Sequence, residues 1–381
     1  MFSMKQKLLA IAICSSLGSL PTMADIKIGV LVPDSGPAGL FGPSTRNSAM
    51  LAAEEINASG GINGENIELI FADVGVPPAA AVQSTMKLWK GEGVQALVGM
   101  NDSAVREAIL GRIKGKIPYI YTPVYEGNAC APGLYSTGET PSQQLAPVIP
   151  YLQQQHKVSK WYLIGHDYNW PRETNALAKQ YIKSAGGELV GEEYVPFTVA
   201  EFDSSLQRIK ASGADGVLIT LVGGGSVSFN IAYASFGLDQ QAIRLGTLIE
   251  ENTLAGIGAA NSKGLYSTAG YFKDLNTPAA SAFKLRYEQK FGTDSATLNT
   301  LGQSSYQGLK LLATLANAAG NLSVAGIDMI AEGTNFASPR GEGTVMGRHV
   351  NQSIYLADGT SGQFKVVQSF ANVTSTEVCA E

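Results

Sequence analysis

From residue 26 onward, short apolar runs alternate with longer segments rich in helix formers. The run 26–32, Ile-Lys-Ile-Gly-Val-Leu-Val, is β-rich and ends at Pro33. Residues 44–57 favour helix, and Gly60 and Gly61 lie just beyond. Further strands are predicted at 67–74, 95–99 and 117–121, with helices at 79–89 and 103–113. That cadence means a parallel sheet with helices on both faces. The pattern then repeats. Strands are expected at 160–165, 188–195 and 216–221, and helices at 171–185, 201–212 and 226–236. Pro171 stands in the first turn of its helix, and Gly186 and Gly187 follow its end. A strand at 265–272, helices at 279–291 and 298–319, and extended segments at 353–356 and 363–367 complete the reading. The fold class is α/β, built from two Rossmann-like lobes with no linker tract between them.

A length of 381 residues suits two domains rather than one. Only 15% of residues are charged and the net charge is −5. No basic stripe is interleaved with aromatics, so nucleic acid is not an expected partner. Residues 1–24 read as a secretory signal. Lys5 and Lys7 precede an apolar run beginning at Leu8, and Thr22, Met23 and Ala24 supply the small residues of a cleavage site. The run is well short of the roughly 20 residues that span a bilayer. Export through a cleaved signal places the mature chain in the periplasm. Cleavage would remove Cys14 and leave Cys130 and Cys379. An oxidising compartment permits a disulfide between them, and two free thiols remain the other reading. Neither has a metal-ligand neighbour at suitable spacing, so no metal or cofactor is expected.

Ligands of doubly wound sheets bind beyond the carboxyl ends of the strands. The loops at 100–103, 121–127, 166–170, 222–226 and 249–251 are therefore the candidate site. They are rich in aromatics, glycine and hydroxyls, which can enclose a small solute and still hydrogen-bond it. Enzyme signatures fail by comparison. His166 is the one histidine on a cleft loop, no G-x-S-x-G elbow occurs, and the run 111–117 is one residue short of a phosphate loop and lacks its hydroxyl.

At these loops the chain resembles the type I periplasmic binding proteins of the branched-chain amino acid, amide and urea transporters, and most of all the amide- and urea-binding branch. The resemblance rests on Tyr125-Glu126-Gly127 with Cys130, on Thr140-Pro141-Ser142-Gln143-Gln144, and on the stretch from Asp167 to Asn175. It implies a flytrap of two lobes joined by three hinge crossovers, with residues 25–121 plus 249–331 in lobe 1 and 122–248 plus 332–381 in lobe 2. It also implies a ligand set of Asn101, Ser103, Tyr121, Tyr125, Tyr168, Trp170, Gly223, Glu250 and Tyr271. Ser103 would hold the ligand's polar end, and also reads as a helix cap. Tyr168 and Trp170 would close over it from lobe 2. Glu250 would accept hydrogen bonds from ligand nitrogens, and also reads as an acid at a helix start. Asn101 stands where amide binders carry tyrosine, and Pro123 where they carry threonine, which predicts a roomier, more polar pocket. The implied function is capture of urea or a short-chain amide by a monomer that docks on an ABC permease driven by its ATPase. An amino-acid binder of the same fold is the alternative, and an amide hydrolase or amide-sensing regulator the alternative of another class.

Overall fold

The computed structural model describes residues 25–377 and 379; the expected signal segment 1–24 lies outside them. The first sheet contains β1 (Ile26–Val32), β2 (Ile67–Asp73), β3 (Ala96–Gly99), β4 (Tyr119–Tyr121) and β5 (Leu134–Ser136). The second contains β6 (Lys160–His166), β7 (Glu188–Val195), β8 (Gly216–Thr220), β9 (Ile243–Gly246) and β10 (Leu265–Ala269). Four further strands follow: β11 (Asn335–Ser338), β12 (Gly341–Met346), β13 (His349–Asp358) and β14 (Lys365–Val373). The first sheet runs β2-β1-β3-β4-β5, all parallel. The second runs β7-β6-β8-β9-β10, also parallel.

Strand β13 belongs to both sheets. His349 pairs with Ser136 of β5, whereas residues 355–358 run antiparallel to β10. β11 and β12 form a hairpin on the first sheet side of β13, and β14 lies antiparallel to β13 on the second. Apolar residues on both faces of each sheet explain the uninterrupted hydrophobic runs. One core under the first sheet packs β1 and β3 against the helices Gly42–Ala58, Pro278–Phe291 and Thr300–Ala319. The other packs that sheet against the helix Ser103–Ile113. Two comparable clusters sandwich the second sheet.

The strand pairing moves all three of the expected lobe boundaries. β5 extends the first sheet, so the first crossover follows Ser136 rather than Tyr121. The helix Glu251–Ile257 packs on the helix Gly223–Ser235, and β10 pairs with β9, so the second crossover follows Ala269 rather than Leu248. The third passage is β13 itself, with β11 and β12 still on the first side. Three crossovers join the halves, but each lies some way beyond its expected position, the third in β13 rather than after Ala331. β5 has only three residues, which is too short for any alternation to register.

Side-chain bonds to distant backbone hold the first crossover. The Gln144 amide donates to the Thr247 and Thr268 carbonyls at 2.9 and 2.8 Å, and the Gln143 amide to those of Val350 and Val373 at 3.0 and 2.9 Å. Beyond β14 the chain returns to the same place. The Ser142 N–H donates to Glu377 at 2.9 Å, and Cys379 is disulfide-bonded to Cys130 with Cα atoms 5.5 Å apart. Gly127 lets this tail approach: its φ is +88°, and a Cβ there would sit 2.2 Å from that of Glu377.

Candidate ligand-binding cleft

In both sheets the strand order reverses beside the central strands, between β1 and β3 and between β6 and β8. Such reversals leave a crevice at the carboxyl ends of the strands. The two crevices face each other across a cavity of about 420 Å³. From the first sheet come Pro33, Pro37, Ala38 and Phe41 after β1, Val74 to Pro78 after β2, Met100 to Ala104 after β3, and Tyr121, Pro123 and Val124 at the end of β4. From the second come Tyr168 and Trp170 after β6, Phe197 and Thr198 after β7, Val222 after β8 and Leu248 after β9.

Polar atoms gather at one end, where β3 gives way to the helix Ser103–Ile113. Asp102 caps that helix, accepting from the Val105 N–H at 2.8 Å. Burial raises its carboxyl above the usual carboxylate range. Asn101 is tied at both ends: its Oδ1 accepts from Tyr119 at 2.7 Å, one Nδ2 proton is donated to the Asp102 carbonyl at 3.0 Å, and its own carbonyl accepts from Tyr121 at 2.7 Å. The expected gain in pocket polarity from Asn101 is therefore largely absorbed by its neighbours. Burial holds the Tyr121 and Tyr168 phenols well above their ordinary range, so both stay protonated. Behind this end, the Ser103 hydroxyl donates to Glu126 at 2.6 Å, and Glu126 pairs with Arg106 at 2.7 Å. Both members of that pair are almost wholly buried.

The opposite wall is aromatic. Tyr168 packs on Phe197 with ring centres 4.8 Å apart, and Trp170 lies 6.2 Å from Tyr168. His166 supports Phe197 from behind at 4.5 Å. Its Nδ1 accepts from the Val222 N–H at 3.0 Å, and its Nε2 has no partner among the described residues. Burial lowers this histidine to about 4, so it is neutral at pH 7.

Asn101, Ser103, Tyr121, Tyr168 and Trp170 thus meet on one cavity, and four other expected residues are placed elsewhere. Tyr125 is stacked against His349 behind Tyr121 and bonds that ring through its hydroxyl. Glu250 caps the helix Glu251–Ile257, where the N–H groups of Asn252 and Thr253 occupy its two oxygens at 2.8 and 2.7 Å. Tyr271 follows the second crossover into the first core, 6.0 Å from Phe283. Gly223 lies at the rim, where the two halves touch. A Cβ on it would come within 1.9 Å of the Pro37 carbonyl oxygen, which also accepts from the Gly224 N–H at 3.4 Å. The residues that sequence reasoning passed over, Pro37, Phe41, Val76 and Phe197, follow β1, β2 and β7. The strand-end rule applied to those strands finds them.

Among the described residues no cluster of His, Cys, Asp or Glu could hold a metal ion, and no helix is long and apolar enough to cross a membrane. Two α/β halves meeting their strand ends across a shared cleft define a solute-binding protein of the type I class. The chain belongs to the periplasmic binding protein family, whose model matches residues 25–363. It is 28% identical to the Leu/Ile/Val-binding protein homolog 6 of Brucella melitensis, over 96% of this chain and 97% of that one. It has the fold of a solute-binding protein of an ABC transporter from Rhodopseudomonas palustris HaA2, solved with p-hydroxybenzoic acid, at a TM-score of 0.84 and 24% identity over 92% and 98% of the two chains. The branched-chain amino acid transporter protein LivJ of Streptococcus pneumoniae, solved with isoleucine, is similar at a TM-score of 0.78 and 22% identity, over 91% and 99%.

Proposed function

We propose that this protein is the exported, periplasmic capture subunit of an ABC importer, and that its solute has an apolar body the size of one aromatic ring or a branched aliphatic chain, with a polar group at one end. The observation that carries this is the shape and lining of the cleft. About 420 Å³ is walled mainly by prolines, valines and aromatics, and its polar side chains are few: residues 101–103, Thr198 and the tips of Tyr121, Tyr168 and Trp170. Urea or a short amide would leave most of that apolar wall unfilled, so the cleft favours a larger relative of those solutes. The ligands of the similar structures, p-hydroxybenzoate and isoleucine, have the proposed size. A solute seated against the first half and covered by Tyr168 and Trp170 would favour the closed arrangement by its extra contacts there. That arrangement would present the solute to a permease and ATPase. Residues 1–24 would direct export.

A thermal-shift screen of isoleucine, leucine, benzoate, 4-hydroxybenzoate, benzamide, acetamide and urea tests the reading. A ligand specific to the folded form raises the melting temperature. The expected result is a rise with one or more of the apolar-bodied compounds and none with urea or acetamide. A rise with urea or acetamide alone would overturn it in favour of the smaller solutes.

A further inference from the structure

The polar end of the cleft has an unusual hydrogen-bonding sense, set from outside the cavity. A carboxylate can only accept, so the 2.6 Å contact between Ser103 and Glu126 commits the hydroxyl proton to Glu126. Glu126 is held in place by Arg106 at 2.7 Å, and Arg106 lies over the rings of Tyr121 and Tyr125 at 4.9 and 5.0 Å. Arg106 also contacts Glu107 at 2.9 Å, so two acids offset its charge. Ser103 also accepts from Arg106 at 3.4 Å, so what it offers the cavity is its remaining lone pair, as an acceptor. Tyr121, on the same wall, gives its proton to the Asn101 carbonyl, and the Asn101 amide is engaged at both ends. Asp102 adds a carboxylate. The side chains of Ser103, Tyr121 and Asp102 thus offer oxygen lone pairs; the donors left are the Tyr168 hydroxyl on the facing wall, the second Asn101 N–H and backbone N–H groups at the helix start.

We propose that Glu126 is a specificity-determining positioning residue: by taking the Ser103 proton it makes Ser103 an acceptor, so the cleft favours an N–H or O–H at the solute's polar end over a carboxylate. This rests on the apolar cleft proposed above. It gives the Tyr125-Glu126-Gly127 motif a role that does not require Glu126 to touch the solute. A primary amide satisfies such an end completely, since its carbonyl can accept from the helix N–H groups while its NH₂ donates to Ser103. A carboxylate of the same shape sets its lone pairs against those of Ser103 and Asp102.

Benzamide and benzoate differ in little else, so the test is their affinity ratio by titration calorimetry at pH 7. The wild-type protein should bind benzamide about ten-fold more tightly or better. In Glu126→Gln the new amide can donate to Ser103 and release its proton, so the ratio should fall to about three-fold or less, or invert. Ser103→Ala keeps the Arg106–Glu126 pair intact and should also narrow the ratio, which covers the case in which Glu126→Gln does not fold. A merely structural role would weaken both probes together and leave the ratio unchanged, and that result in both variants would overturn the proposal. Trp170→Ala separates the two readings. Probes that both lose affinity in that variant, with no wild-type preference for benzamide, overturn the donor rule and leave the apolar cleft standing. Probes indifferent to Trp170→Ala, or binding of neither probe, overturn both.

Discussion

Glu139 and Arg340 meet at 3.0 Å with about 1% of either side chain exposed. Glu139 lies on the first crossover, and its carboxylate also accepts from the N–H of Gly270 at 2.5 Å, on the second. Arg340 reaches Gln352 of β13, the third, at 2.6 Å. One buried ion pair thus ties together all three passages between the halves. Burial pulls the Arg340 guanidinium below its ordinary range, and the neighbouring carboxylate opposes that shift.

Removing one member of such a pair leaves a buried charge without a partner. Glu139→Ala should destabilise the fold by about 3–5 kcal/mol, measured by urea unfolding. A loss within experimental error would mean that the neighbouring glutamines and threonines hold the crossovers without it.

Trp170→Ala should weaken solute binding by about 1–3 kcal/mol through lost apolar burial and stacking on the second wall. Calorimetry with whichever compound raises the melting temperature provides the check. Unchanged affinity would remove Trp170 from the binding surface.

The rim contact gives a different kind of prediction. Gly223 has a φ of +53° and no room for a Cβ beside the Pro37 carbonyl. Gly223→Ala should keep the halves from seating, so the binding-competent population falls and affinity drops roughly ten-fold or more. Equilibrium binding should register this more strongly than the melting temperature does. Wild-type affinity in this variant would show that the rim contact is not needed for capture.

His166 sets a pH dependence. Its folded value of about 4 lies below the ordinary 6.5, so between those values the unfolded chain binds the proton more readily. Its contribution is therefore complete above pH 6.5 and is lost as the pH falls toward 4, by up to about 3 kcal/mol. His166→Gln should erase that part of the dependence, so unfolding curves of variant and wild type should converge as the pH is lowered. A constant offset across pH 4–7 would contradict the assignment.

The two parallel sheets could be read directly from the chain because their strands are buried on both faces and their helices carry clear punctuation. Ser103, Tyr121, Tyr168 and Trp170 were legible for a related reason: each stands where a strand ends, and strand ends make the crevice. The crossover positions were not. They depend on β5, too short to show a pattern, and on Gln144 bonding carbonyls 103 and 124 residues away. Glu250 was open to two readings because a carboxylate at a helix start has two plausible partners, a ligand nitrogen or its own backbone. The free N–H groups of Asn252 and Thr253 are always present, and they claim it. Tyr271 misled because it follows a strand of one half while its side chain enters the core of the other.

The bond between Cys130 and Cys379 spans 249 positions and encloses every strand from β5 to β14. Only β1 to β4 lie outside this covalent ring. A protease that cuts once anywhere within it opens the ring without releasing a fragment: the two pieces stay joined through sulfur, and the severed half stays tethered beside its partner. A nicked molecule would run as one chain on a non-reducing gel and as two after reduction. The bond thus adds tolerance of backbone damage to whatever it contributes to stability.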